Sequence, residues 1–257
     1  MEEKKMLKVS VITMTYNDCE NLKKSIKKIL AQDYPNMEYI VVDGGSTDGT
    51  IEVLKQAEVD FGGRMRWISE PDRGLYDALN KGIAMSTGDV VGIMNDEFVD
   101  SHVISLMVKT LEWTGADGVH GDVDYVQGNR VIRRWRMGEG RIGAGWMPSH
   151  PTLYMRREVY EKYGVYKIDY RIAADYELMI RILKDKKVKL AYINQVIVHM
   201  FHGENSTSTG GFRNYIESFM EGYRALRENQ VPFSLAVNCI RTCRVLMQFV
   251  RGRLGRN

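Results

Sequence analysis

Residues 39–54, YIVVDGGSTDGTIEVL, change character twice in one short stretch. Tyr39-Ile-Val-Val42 is an apolar, β-branched run with no polar alternation, as expected of a strand buried on both faces. Gly44-Gly-Ser-Thr-Asp48 follows as a turn with capping side chains, and a helix is predicted from there through Leu54. The same succession occurs upstream, where Val9 to Met14 leads through Tyr16-Asn-Asp18 into a helix reaching about Gln32. It recurs downstream as a strand near Met65 to Ile68, a helix from Leu75 to Met85 and a strand at Val90 to Met94. Near-continuous apolar strands alternating with helices predict an α/β domain with a parallel sheet covered on both faces.

In such sheets ligands sit beyond the carboxyl ends of the strands. Polar groups cluster at four successive ends: Thr15-Tyr16-Asn17, Asp43 to Asp48, Glu70 to Gly74, and Asn95 to Glu97. One polar loop is ordinary turn chemistry; four at one edge point to a site. Beyond Asp100 the alternation loosens. Helices are predicted at Ser101 to Trp113, Arg156 to Tyr163 and Tyr176 to Lys184, and strands at Gly118 to Val126, Arg130 to Arg136, Val188 to Ile193 and Val196 to Met200. Gly138 to His150 reads as a glycine-rich loop and 203–211 as a mobile one.

The chain has 257 residues, 44% hydrophobic and 27% charged, the balance of a globular protein with a substantial core. A net charge of +3 gives no reason to expect nucleic-acid binding. The excess is local: from Arg224 onward seven arginines face one acid, Glu228, leaving the rest of the chain net acidic. Cys19, Cys239 and Cys243 form no framework and suit a reducing compartment. With no signal-peptide pattern and no apolar run long enough to span a bilayer, a cytoplasmic protein is expected. No P-loop spacing occurs, and the one GxGxxG spacing, Gly138 to Gly143, falls within the glycine-rich loop.

Together, "VSVITMTYN", "VVDGGSTDGT", "EPDRGLYDALNKGIAMSTGDVVGIMND" and "AADYELMIRI" resemble the family 2 glycosyltransferases, from about Val9 to His202. The resemblance implies the GT-A fold, a Rossmann-like nucleotide-binding mixed sheet flanked by helices. Residues 1–204 would form the catalytic domain, with 1–100 the nucleotide-sugar half and 101–204 the acceptor half, followed by a basic helical extension at 205–257. It implies inverting transfer from a nucleotide sugar, UDP-hexose or UDP-N-acetylhexosamine. Donor contacts are carried over to Thr15, Tyr16, Asn17, Asp43, Gly44, Ser46, Asp72, Arg73, Gly74 and Asn95. Asp43 could instead cap the turn at Ser46 to Asp48. Asp77, Asn80 and Lys81 recur at helical spacing and could reach one ligand, or line an exposed helix face.

Relatives carry an acidic motif after the fourth strand that holds Mg²⁺ or Mn²⁺ against the diphosphate; here Asn95-Asp96-Glu97 stands in a shortened loop. A hard cation can take most of its oxygens from phosphate and water, so Asp96 could suffice, with Glu97 second and His199 or His202 as a late ligand. Adjacent side chains on an extended strand diverge, which opposes joint ligation by Asp96 and Glu97. The resemblance places the general base at Asp175, which would otherwise be a helix N-terminal carboxylate. Trp146, Ser149 and His150 fall in a loop that could cover the sugar, although a core tryptophan fits equally.

In the tail, Asn238, Arg241, Arg244, Gln248 and Arg251 recur at helical spacing beside Val237, Ile240, Val245, Met247, Phe249 and Val250. Such a helix could lie in a membrane interface, or pack on the domain or on a second subunit. The expected acceptor is a saccharide on a polyprenyl diphosphate at the inner face of the cytoplasmic membrane, in surface-polysaccharide assembly. The alternatives are a catalytically weak, nucleotide-sugar-binding assembly subunit and, with less support, a sugar nucleotidyltransferase.

Overall fold

The computed structural model describes residues 6–128, 130–184, 186–201 and 211–254. Strand β1 (Val9–Thr15), helix α1 (Cys19–Leu30), β2 (Met37–Asp43), α2 (Thr50–Asp60), β3 (Met65–Ser69), α3 (Leu75–Met85) and β4 (Val90–Ile93) follow the predicted alternation. β1 pairs in parallel with both β2 and β4, and β2 with β3. The chain therefore starts in the middle of the sheet, winds outward through β2 and β3, and returns to the other side of β1 at β4.

The second half is mixed, not parallel. β5 (Glu97–Phe98) and α4 (Val103–Thr114) precede β6 (Gly118–Gln127) and β7 (Arg130–Trp135), and β8 (Tyr154–Arg156) inserts antiparallel between β4 and β6. The order is β3-β2-β1-β4-β8-β6-β9-β5, with β7 on β6. Two predicted strands at 188–193 and 196–200 are one strand, β9 (Leu190–Phe201), whose register on β6 shifts where Asn194 and Gln195 interrupt the apolar run. Short 3-10 turns, Ile142–Ala144 and His150–Thr152, break the glycine-rich loop. After α5 (Arg157–Tyr163) and α6 (Ala174–Leu183), the chain ends in α7 (Gly211–Glu228) and α8 (Ser234–Leu254).

Side chains alternate across the sheet into two cores. Val9 and Val11 of β1 and Tyr39 and Val41 of β2 meet α1, α2 and α4 through Leu22, Ile29, Leu54 and Ile104. Ile12 and Ile40, each adjacent in sequence to one of these residues, face Leu79 of α3, Ile180 of α6 and, farther out in the same core, Leu226 of α7. Each such side chain, fully buried, contributes roughly 1.5–3 kcal/mol. At the amino ends of the strands Glu38, 8% exposed, joins Lys8 at 3.0 Å and Arg66 at 3.0 Å. It also accepts from Ser10 Oγ at 2.6 Å and from the Thr87 N–H at 2.5 Å. Burial alone would push this carboxyl up; the hydrogen bonds from Ser10, Thr87 and Lys8 outweigh it and hold the group down at about 2.

Candidate active site

The reversal of strand order between β1 and β4 opens a crevice at their carboxyl ends, the usual ligand site of such sheets. Asn95 spans it. Its Nδ2 donates to the Met14 carbonyl at 2.8 Å and its Oδ1 accepts from the Met14 N–H at 3.2 Å, so the side chain continues the sheet ladder beyond β4. Asn95 thus braces the crevice. Ser25 of α1 donates to the carbonyls of Asn95 and Asp96, at 3.3 and 3.1 Å, and holds the acidic loop from behind.

Three strand-end loops converge on Gly44. A Cβ there would lie 2.9 Å from Asp72 Oδ2 and 3.2 Å from the Tyr16 ring, so a larger residue would push these two side chains aside where the loops after β1, β2 and β3 meet. Tyr16 is 65% exposed and offers a ring face at the mouth. Asn17 and Ser46 latch the first two loops: the Asn17 N–H donates to Ser46 Oγ at 2.7 Å, and Asn17 Oδ1 accepts from the Thr47 N–H at 2.8 Å. The cap of α1 also comes from the neighbouring loop, since Asp48 Oδ2 accepts from the Cys19 N–H at 3.0 Å while Asp18 makes no side-chain cap.

Asp43 is fully buried, and its carboxylate accepts from the Gly45 and Ser46 N–H groups, Ser46 Oγ and Ser69 Oγ. These bonds brace the turn after β2. In the third loop, Asp72 Oδ1 accepts from the Gly74 N–H at 2.8 Å. Asp77 accepts from the Arg73 N–H at 3.0 Å and pairs with the Arg73 guanidinium at 3.1 Å, and these contacts hold its carboxyl below the usual range. Arg73 remains 74% exposed, extended toward solvent. Lys81 pairs with Glu70 at 2.8 Å and lies 3.8 Å from Asp77. Asn80 departs from the expectation of a shared ligand. Both ends of its amide are spent on the Tyr166 backbone, at 2.8 and 3.0 Å, because helical spacing gives proximity and not direction.

Asp96 is half-buried beyond the end of β4. Glu97 belongs to β5 and turns to Lys28 at 3.7 Å. Asp96 itself lies in the bend before β5. His199 stands between Glu97 and Asp124 in register. No group of three or more ligating side chains forms among the described residues, and His202 lies outside them, as do the 203–210 stretch and the chain's last three residues.

Asp175 opens α6, with its Oδ1 accepting from the Tyr176 N–H at 2.7 Å. Burial raises its pKa, against the pull of that N–H and of Arg241. Trp146 is 6% exposed, donates to the Met137 carbonyl at 3.0 Å and meets His120 edge-on. It is a core residue of the loop and presents no lid face. Ser149 is buried beneath it. His150 hydrogen-bonds Tyr166 at 2.8 Å and is held neutral, its pKa pushed down to about 4 by burial. Tyr76 stacks on Tyr166 and donates to the Ile172 carbonyl at 2.6 Å, linking α3 to the turn before Asp175.

Residues 10–173 match the model of the family described as Glycosyl transferase family 2. The chain belongs to this family. An uncharacterized glycosyltransferase of Mycobacterium tuberculosis is 32% identical over 191 residues, 67% of this chain and 68% of the relative. A PGL/p-HBAD biosynthesis glycosyltransferase of Mycobacterium bovis is 26% identical over 196 residues, 73% of this chain and 74% of that one. Among solved structures, S. aureus TarS residues 1–349 in complex with UDP-GlcNAc superposes with a TM-score of 0.67 at 15% identity, over 98% of this chain and 74% of that one. The mannosyltransferase PcManGT of Pyrobaculum calidifontis, in complex with GDP-Man and Mn2+, gives 0.66 at 18% identity, over 98% of this chain and 82% of its own. The chain spans 44% of the longer TarS chain. Its fold is GT-A, as the family resemblance predicts.

Proposed function

We propose that this family 2 glycosyltransferase binds a UDP-sugar, a hexose or N-acetylhexosamine, in the crevice at the ends of β1 to β4. It transfers the sugar with inversion to a hydroxyl of a lipid-linked glycan in surface-polysaccharide assembly. The observation that carries the reading is the meeting of the Tyr16, Gly44 and Asp72 loops at the strand-end crevice, together with a half-buried carboxylate, Asp175, at the start of α6. Tyr16 would stack the base, the exposed Arg73 would meet the diphosphate, and Asp175 would take the acceptor proton. Burial makes Asp175 a stronger base than a solvated aspartate, and inversion requires that base opposite the departing diphosphate. The UDP-GlcNAc complex of TarS supports the donor class.

A divalent ion would supply Lewis-acid stabilisation of the leaving diphosphate. The protein offers it one carboxylate, Asp96, which fits an ion taking its other ligands from phosphate and water; PcManGT was solved with Mn2+. Among the described residues no helix is long and apolar enough to cross a membrane. The outer stripe of α8 exposes Ile240 and Met247 around Arg244, which would suit peripheral contact with a bilayer carrying the acceptor. The division into a 1–204 catalytic domain and a 205–257 extension is kept as part of this proposal, and a second copy could share the same stripe.

The test is calorimetric titration with UDP and with GDP, in Mn²⁺ and then in EDTA, on the wild type and Asp96→Ala. UDP binding that needs metal and weakens in the variant supports the reading. Failure to bind either nucleotide overturns it.

A further inference from the structure

The α7–α8 hairpin lies beyond the 10–173 segment that matches the family model, yet it meets the start of α6 at two charged points. Glu221 of α7 accepts three backbone hydrogen bonds: Oε1 from the Arg171 N–H at 2.7 Å, and Oε2 from the Ile172 and Ala173 N–H groups at 2.9 and 2.8 Å. Ala173 is the cap position of α6, so Glu221 serves backbone donors at a helix start from another element. Asp175 projects two residues later.

Arg241 of α8 places its guanidinium 4.6 Å from the centre of the Tyr176 ring, next to Asp175 in sequence. It is fixed there by Asn238 Oδ1 at 3.2 Å and the Ser218 carbonyl at 2.8 Å. The approach is close: a Cβ at Gly222 would lie 2.4 Å from Arg241 Nη2, and one at Gly145, where φ is +64°, would lie 2.6 Å from the Arg241 backbone nitrogen. Asn238 and Arg241 point into the protein.

We propose that Glu221 and Arg241 are positioning residues for Asp175, Glu221 fixing the backbone from which it projects and Arg241 supplying its counter-charge. The C-terminal hairpin is thereby part of the catalytic apparatus. This rests on the reading of Asp175 as the base. The phenols that also face Asp175, on Tyr76, Tyr125 and Tyr166, are pushed up by burial and stay neutral, so its charged neighbours are Arg241 and Glu221. Arg241 draws the Asp175 ionisation down and Glu221 pushes it up, so removing each charge moves that ionisation in opposite directions.

The experiment uses the full chain with ¹³C-labelled aspartate, the Asp175 signal being assigned by its loss in Asp175→Asn. The carboxyl titration is followed in wild type, Arg241→Gln, Arg241→Lys and Glu221→Gln, with UDP affinity measured in parallel. Arg241→Gln is expected to raise the Asp175 midpoint by about one pH unit, Arg241→Lys to recover most of that, and Glu221→Gln to lower it. UDP affinity should stay within about twofold. A midpoint unmoved in both neutralised variants, or moved in the same direction, overturns the proposal. Wild type that binds no UDP defeats the functional reading and leaves the titration result standing separately.

Discussion

Glu38→Gln isolates what the polar cluster at the amino ends of β1 and β2 contributes to stability. Glu38 accepts from Ser10, Thr87 and Lys8 and pairs with Arg66 while 8% exposed, and its pKa falls from 4.5 to about 2. At 1.36 kcal/mol per unit, that displacement corresponds to about 3 kcal/mol of stability at neutral pH. Because the folded-state value lies below the unfolded one, the contribution is complete above pH 4.5 and is lost as the pH falls through about 2. Glutamine keeps the shape but leaves Lys8 and Arg66 without their counter-charge. Urea unfolding of both proteins at pH 7, 5.5 and 3.5 should give a difference of about 3 kcal/mol at the two higher values and a smaller one at the lowest. A difference below about 1 kcal/mol at pH 7, or one that does not shrink at pH 3.5, would refute the reasoning.

Asp175→Asn should lower turnover by about 10²- to 10⁴-fold and leave the UDP dissociation constant within about twofold, read by UDP release and calorimetry. Gly44→Ala, which sets a methyl against Asp72 and Tyr16, should weaken UDP binding by about tenfold with little change in the unfolding midpoint. Asn80→Ala should cost about 1–2 kcal/mol of stability through its lost ties to Tyr166 and leave UDP affinity unchanged; weaker binding would return Asn80 to the donor site. Asp96→Ala should abolish the difference between UDP titrations in Mn²⁺ and EDTA.

The first half of the fold was legible because its strands are apolar runs and its loops are polar, so β1 to β4 and α1 to α3 follow from local pattern. β5 and β8 were not, since strands of two and three residues carry too little pattern to separate from loop. The crevice was legible from the strand ends, but what each side chain does there was not. Asp43, Asn80 and Trp146 have the right types and positions for donor or acceptor contacts, and each also makes hydrogen bonds to the backbone that only the tertiary structure reveals. In the tail, periodicity found a helix with a polar side. It could not show that Asn238 and Arg241 are the inward side, because a buried arginine with partners and an exposed one leave the same mark in sequence.

The loops after β1 and β2 are latched in both directions, Asn17 to Ser46, Thr47 to Asn17 and Cys19 to Asp48. The wall that would receive a nucleobase is therefore set before any ligand arrives, and little chain freedom remains to be lost there on association. Fragments such as uridine should accordingly bind out of proportion to their size, and nucleotides differing only in the base should be separated by shape at this wall rather than by rearrangement around it.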